Sequence, residues 1–561
     1  MPLSSRFAAL LLVAVAATAC RVQDIPHTVG TEGGTMIVSS GGEPDTPIPM
    51  LTTSVTGIQV GSAIFERLAD IGSDLNTAGD ADFHPVLADK WTWAPDSLSI
   101  AFHINPKARW QDGVPVTARD VRFTFLAYRD PATGSTVTPL IANIDSVTVR
   151  DSLTAVFWYH QRYREQFFDA AYQMFILPEH LLSGIKHADI RSSEFAQHPV
   201  GSGPFRFVRW VPGSLFEIAA DTAHYSGRPH LDRIIWSFSP DYTASVTKLF
   251  TGEADFIEYL RPEGVAELAK HPELELFRYP SLNEGYLVFN LRDPKHPSRP
   301  HPIFGDRTVR RALSMAVDRQ RLVTSVFDSL AVLSIGPEPR DLATADSTIA
   351  MIPFNVARAK QLLDSAGWRD HDGDGVRDKN GVPLRFTLMT PTSSAVRVRI
   401  SVLLQQMFAQ VGAKVDLQQT EINYFLDRQH SGQFDAMVNS LFLDPSPSSI
   451  RQTWGMKNAR TPNDDNIGSY MSPAFNALVD SAVLATDPKR SEALYHRAYQ
   501  TIIDDAPAIW LYEVPGMGAI NKRIHPAGVR ADGWWANLAA WSIPDDQRIA
   551  RDQIGLADAQ P

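Results

Sequence analysis

Ile400-Ser401-Val402-Leu403-Leu404-Gln405-Gln406-Met407-Phe408-Ala409-Gln410-Val411-Gly412-Ala413-Lys414-Val415-Asp416-Leu417 decides the fold class. Ile400, Leu403, Leu404, Met407 and Val411 repeat at the spacing of one helix face. Gly412 stops that helix, since glycine takes a left-handed backbone at little cost. Val415 and Leu417 then alternate, as a half-buried strand does. A helix running straight into a strand is a unit of α/β packing.

The same grammar extends on both sides. Asn355 caps a helix carrying Val356, Ala359, Leu362, Leu363 and Ala366, with Gly367 just past its end. Val309, Leu313, Ala316 and Val317 mark another, with Asp306 upstream as cap. Ser491 to Asp505 reads as a helix ended by Pro507. Leu98, Ile100, Phe102 and Ile104 fall every second residue and predict a strand. Phe205 to Val211, Pro212-Gly213 and Leu215 to Ile218 predict a hairpin. The polar, Pro-rich run Arg292 to Pro302 is expected to be a crossover or hinge.

The whole chain sets bounds on function. At about 150 residues per domain, 561 residues imply three to four domains rather than one core. A content of 44% hydrophobic and 10% aromatic residues excludes a mostly disordered chain. A net charge of −11 without a basic block leaves no footprint for nucleic acid. The single cysteine excludes an internal disulfide and any multi-cysteine zinc or iron–sulfur site.

That cysteine gives the compartment. Met1 to Ala19 reads as an export signal, with Arg6 before an apolar run from Phe7 to Ala19. The run is shorter than the roughly 18 residues that a membrane span needs. Ala17-Thr18-Ala19-Cys20 resembles a bacterial lipobox, which implies diacylation of Cys20 and anchoring of the mature chain in a bilayer. Residues 20–32 then form a polar tether. No later segment is long and apolar enough to span a bilayer.

No reactive constellation stands out. There is no HExxH, no GxSxG elbow and no Walker loop. Asp464-Asp465 and Asp504-Asp505 read as solvated pairs. His84, His160, His180 and His230 show no ligand spacing. Asp370, Asp372 and Asp374, with Gly375, follow the start of a calcium loop, but Gly381 stands where a bidentate Glu belongs. The preferred reading is a tight polar loop before a strand through Leu384, Phe386 and Leu388, with weak calcium binding as the alternative. No cofactor and no metal are expected, and the chain is read as a non-enzyme. Trp454, Trp534, Trp535 and Trp541 suit a core. The Trp534-Trp535 pair, after a glycine, also suits a cleft wall.

Several ordered blocks carry a resemblance. They are Ile64-Phe65-Glu66-Arg67-Leu68, Pro85 to Trp91, Trp110-Gln111-Asp112-Gly113 with Thr117 to Val121, and Val200-Gly201-Ser202-Gly203-Pro204-Phe205. Val309-Arg310-Arg311-Ala312 with Val317-Asp318-Arg319, and Ala359 to Leu363 with Ala366-Gly367-Trp368, complete the set. From about Gly33 to Pro544 the chain resembles the family 5 extracellular solute-binding proteins of ABC importers, the oligopeptide, dipeptide and nickel binders. The resemblance implies a two-lobed α/β fold of the periplasmic-binding-protein type, with an inserted subdomain and a ligand cleft between the lobes.

The expected segments are 33–57, 198–288 and 506–561 for the first lobe, 58–197 for the insert and 289–505 for the second lobe. The implied function is capture of an oligopeptide-like solute outside the cytoplasmic membrane, hinge closure, and delivery to a permease with its ATPase. A monomer is expected. Ligand main chain would add to the strand edge Phe434 to Leu441. Asp444 would pair with a ligand α-ammonium, and the alternative is that Asp444 caps a turn before Pro445. Asn439, Ser440, Leu441, Asp444, Trp454, Trp534, Trp535 and Glu43 are the cleft candidates. Leu441 stands where the family has Trp, so a sugar, an opine, a metal chelate or a sensor role stays open. An exported hydrolase is the remote alternative.

Overall fold

Three sheets organise the chain in the computed structural model, which describes residues 33–459 and 466–553. The leader, Cys20, the tether and Asp464-Asp465 lie outside the described residues. A seven-stranded sheet runs in the order Leu274–Tyr279, Gly516–Asn521, Phe256–Ile257, Thr35–Ser40, Arg233–Phe238, Leu215–Ala220, Phe205–Val211. It thus gathers strands from the beginning, middle and end of the chain. A six-stranded sheet runs Val332–Leu333, Ala508–Glu513, Asn283–Phe289, Ala436–Phe442, Arg385–Pro391, Lys414–Thr420. A four-stranded sheet, Ala88–Trp93, Ser99–Ile104, Thr154–Tyr159, Ile144–Asp151, forms the insert.

The opening stretch becomes the helix Ala395–Ala409 and the strand Lys414–Thr420, with Gly412 at φ +79°. The strand pairs in parallel with Arg385–Pro391, as a helix crossover requires. Asn355 caps Val356–Ser365 by accepting the Arg358 N–H at 2.9 Å, and Gly367 sits at φ +84°. Asp306 caps Arg307–Ala316 through the Thr308 N–H at 2.8 Å. The 491–505 helix starts earlier, at Pro488, because Asp487 supplies the cap.

Two expectations shift. Arg292 to Pro302 is a short hairpin, Arg292–Asp293 against His296–Pro300, and not the crossover. Ala508–Glu513 pairs in the six-stranded sheet, so the return to the seven-stranded sheet lies between Glu513 and Gly516, not at 505/506. Every residue of that strand is buried, between Asn283–Phe289 and Val332–Leu333 in that sheet.

The chain therefore passes between these two sheets at adjacent points. Leu274–Tyr279 leads into Asn283–Phe289, and Ala508–Glu513 leads into Gly516–Asn521. On one side Tyr279 is paired with Gly516, and on the other Glu284 with Glu513 and Gly285 with Tyr512. A Cβ on Gly516 would lie 1.9 Å from the Tyr279 ring, and one on Gly285 2.0 Å from the Tyr512 ring. Each glycine is therefore needed for a tyrosine ring to lie flat on the ribbon.

Three of the sequence blocks meet at one joint. Gln111 donates to the carbonyls of Gly203 at 3.0 Å and Phe205 at 2.9 Å, and accepts from Gly201 N–H at 3.0 Å. Gly203 N–H donates to Ile64 O at 2.8 Å. A Cβ on Gly201 would stand 1.8 Å from the same carbonyl oxygen. Trp110 is buried behind the joint. These residues fasten the insert to the seven-stranded lobe.

Candidate functional site

Three of the candidate residues, Asn439, Ser440 and Leu441, lie on the strand Ala436–Phe442. One edge pairs along its whole length with Asn283–Phe289. The other edge meets Arg385–Pro391 only at Ala436 and Met437. From Val438 to Phe442 that edge has no strand partner among the described residues. Asn439, Ser440 and Leu441 lie on this open stretch; the Ser440 N–H donates to Asn439 Oδ1 at 3.0 Å, and the other main-chain groups of the edge have no strand partner among the described residues.

The two faces of the sheet differ. Leu287, Phe289, Val438 and Leu511 pack with the helices Arg307–Ala316 and Ala395–Ala409. Tyr286, Val288, Met437 and Trp510 belong to the core on the other side, with Trp454, Tyr495 and Tyr499. Two-residue alternation puts Glu284 on this second face with Tyr286. Glu284 stands opposite Leu441 on one side and Glu513 on the other.

Asp444 follows the strand and is half-buried. Its carboxylate accepts the Ser446 N–H at 2.8 Å. Gln173 also hydrogen-bonds the carboxylate, and the two contacts together still leave lone pairs, so the turn-capping and charge-pairing readings of Asp444 are compatible. Burial raises its pKa to about 6, with a further push from Glu165. Arg67 opposes the rise, and its guanidinium lies 3.7 Å from the Tyr172 ring centroid and 4.0 Å from that of Phe175. Glu165 belongs to the insert, yet its Oε1 accepts from Ser446 Oγ at 2.6 Å and from Thr77 Oγ1 at 2.7 Å. The insert and the second lobe therefore touch beside Asp444.

A cation sits beside the start of the open stretch, at Asn439. Arg397, half-buried, donates to Asn439 Oδ1 at 3.4 Å. Burial lowers its pKa, and the groups that act against this are the phenols Tyr512 and Tyr286 rather than a carboxylate. Asn439 also donates to Gln429 at 3.0 Å, which fixes its amide.

The remaining candidates are placed elsewhere. Glu43 is exposed and accepts the Gly213 N–H at 2.8 Å, tying the first crossover loop to the hairpin turn. Trp454 is 3% exposed and packs on Tyr286 and Trp510 at 6.0 and 5.6 Å between ring centroids. It supports the strand from behind. Trp534 is fully buried against Phe256 at 4.6 Å. Trp535 is half-buried and lines a cavity of about 220 Å³ with Arg67, Tyr172, Arg530 and Asp532.

Asp370, Asp372 and Asp374 are exposed with their oxygens within 4.8 Å of one another. Asp370 accepts from Gly373 and Gly375 N–H groups, Asp372 from Asp374, and Asp374 from Val376. These carboxylates stitch the loop's own backbone. Arg397, Glu284 and Glu338 were not singled out from sequence. Glu284 left a signal, an acid on the apolar parity of Tyr286 and Val288. Glu338, between two prolines, left none.

The sequence model of the Bacterial extracellular solute-binding proteins, family 5 Middle, matches residues 82–461. The chain belongs to this family. The oligopeptide-binding protein AppA of Bacillus subtilis is 27% identical over 496 residues, 86% of each chain. The solved structure of Bacillus subtilis AppA, in complex with a nonapeptide, aligns at 25% identity with a TM-score of 0.77, over 92% of this chain and 99% of that one. NikZ from Campylobacter jejuni, in complex with Ni(L-His), aligns at 22% identity and a TM-score of 0.78 over 91% and 99%, and shares the fold. The family is one of extracytoplasmic solute binders with two lobes, as the sheets here show.

Proposed function

We propose that this chain captures a peptide between its lobes as the substrate-binding component of an ABC importer, and delivers it to a permease with its ATPase. The open edge at Val438 to Phe442 carries this reading. Main-chain pairing there is indifferent to side chains, which suits a binder of many sequences. Arg397 and Asp444 flank the edge with opposite charge, and neither forms an ion pair among the described residues. Five residues of extended chain separate Asn439 from Asp444, on the order of 15 Å at about 3.3 Å each. That length suits a short peptide with its carboxylate toward Arg397 and its ammonium toward Asp444. The reading assigns Asn439, Ser440, Leu441, Asp444 and Trp535 to the ligand, and Trp454, Trp534 and Glu43 to support.

In the same proposal 33–57, 198–282 and 514–553 form the first lobe, 283–513 the second and 58–197 the insert. The protein acts as a non-catalytic monomer, exported by its leader and held at the membrane through acylated Cys20. Native mass spectrometry of the purified protein tests the ligand. A spread of bound masses that resolves into short peptides on denaturation is the expected result, and Asp444→Ala should deplete it. A single sharp non-peptide adduct would retire the peptide reading.

A further inference from the structure

Two carboxylates in the second lobe have no cationic counterpart among the described residues. Glu284 is 1% exposed and Glu338 3% exposed. Oε2 of Glu284 and both carboxylate oxygens of Glu338 are buried without a hydrogen-bond partner. Neither residue is in an ion pair among the described residues. Their neighbour Glu513 shows the contrast: it accepts from Arg340 Nε at 2.9 Å and from the backbone N–H groups of Arg340 and Ile335 at 3.1 Å. Its charge is answered, and theirs is not.

The surroundings are acidic. Glu338 feels Glu284, Glu165 and Asp444, and the nearby Tyr499 hydroxyl works the other way, favouring the charged form. Burial, and next Glu513, pushes the Glu284 carboxyl well above the usual range. Burial and then the three acids do the same to Glu338. A carboxylate taken out of water without a partner is strongly disfavoured, so such a group gains most from a cation that arrives with its own hydrogen-bond donors. The location decides what brings that cation. Glu284 stands opposite Leu441, on the half-strand whose other edge is open. A ligand strand on that edge would lie two inter-strand spacings, about 9.5 Å, from Glu284, so only a long basic side chain passing over Leu441 spans the gap.

We propose that Glu284 and Glu338 form a receptor for a cationic side chain, lysine or arginine, of the bound peptide. The inference rests on the peptide-capture reading for what carries the cation. It makes the protein selective for basic peptides, with the open edge supplying tolerance and the acid pair supplying preference.

Calorimetric titration with Ala-Lys-Ala, Ala-norleucine-Ala and cadaverine tests it. The lysine and norleucine peptides share a backbone and nearly share side-chain length, so their ratio reports the charge alone. The expected result is an affinity about tenfold or more higher for Ala-Lys-Ala. The double variant Glu284→Gln, Glu338→Gln should bring the two peptides together. Its thermal melt and near-ultraviolet circular dichroism establish that it folds, and the wild-type ratio stands without it. Equal affinity for the two peptides overturns the receptor and leaves peptide capture intact. Binding of cadaverine alone, lost in the double variant, retires peptide capture and keeps the cation receptor. No binding of any of the three overturns both.

Discussion

Asp444, Glu284, Glu338 and Asp169 each hold a proton more tightly in the folded protein than in the unfolded chain, with burial as the first cause. The native state then binds more protons than the unfolded one at pH values between the two sets of pKa, so stability falls as pH rises through that window. For Asp444 the window runs from 3.8 to about 6. His224 acts in the same direction. Burial lowers its pKa, but the Glu66 hydrogen bond and charge outweigh that and leave it raised, so its contribution fades as pH climbs past 6.5. Asp45 and Asp435 are lowered, and their contributions are lost only below the ordinary carboxylate range. The ligand-free protein should therefore melt at a higher temperature at pH 5 than at pH 7.5. Glu338→Gln should flatten the difference, and a profile that rises toward neutral pH would refute the assignment. Asp444 was legible in sequence as an acid after an edge strand. Glu338 was not, because a glutamate in a proline-rich loop reads as solvated until the fold turns it inward.

At the scale of elements, the joint between the insert and the first lobe is made of backbone in close approach. Gly201 leaves no room for a methyl beside Ile64 O, and Gln111 holds the facing carbonyls. Gly201→Ala should destabilise by about 1–3 kcal/mol or more, as overpacking does. A urea melt showing an unchanged midpoint would exclude this. The helices were legible because cap, stripe and terminal glycine agree, as at Asn355 and Gly367. The Arg292–Pro302 hairpin was not. Prolines there sit on a two-residue pairing that carries no alternation to read. The open half of Ala436–Phe442 was also hidden. Sequence marks a strand, but which edge stays unpaired depends on where Arg385–Pro391 diverges.

At the scale of the whole molecule, the interleaving of segments was legible only through resemblance, because no local signal says which sheet a strand joins. Ala508–Glu513 would suit either. The anchor is a prediction at this scale too. Cys20→Ser should move the protein from the membrane fraction to the soluble extract, and retention in membranes would refute lipidation at Cys20. The paired strands that pass between the two large sheets have a mechanical meaning. A two-strand ribbon has one soft bending direction, across its flat face, and is stiff within its plane. Tyrosine rings seated on Gly516 and Gly285 brace it at both ends. Opening and shutting then reduce to rotation about a single axis, described by one angle. A single pair of reporters across the cleft, one on the insert near Glu165 and one near Ser446, suffices to follow the entire motion.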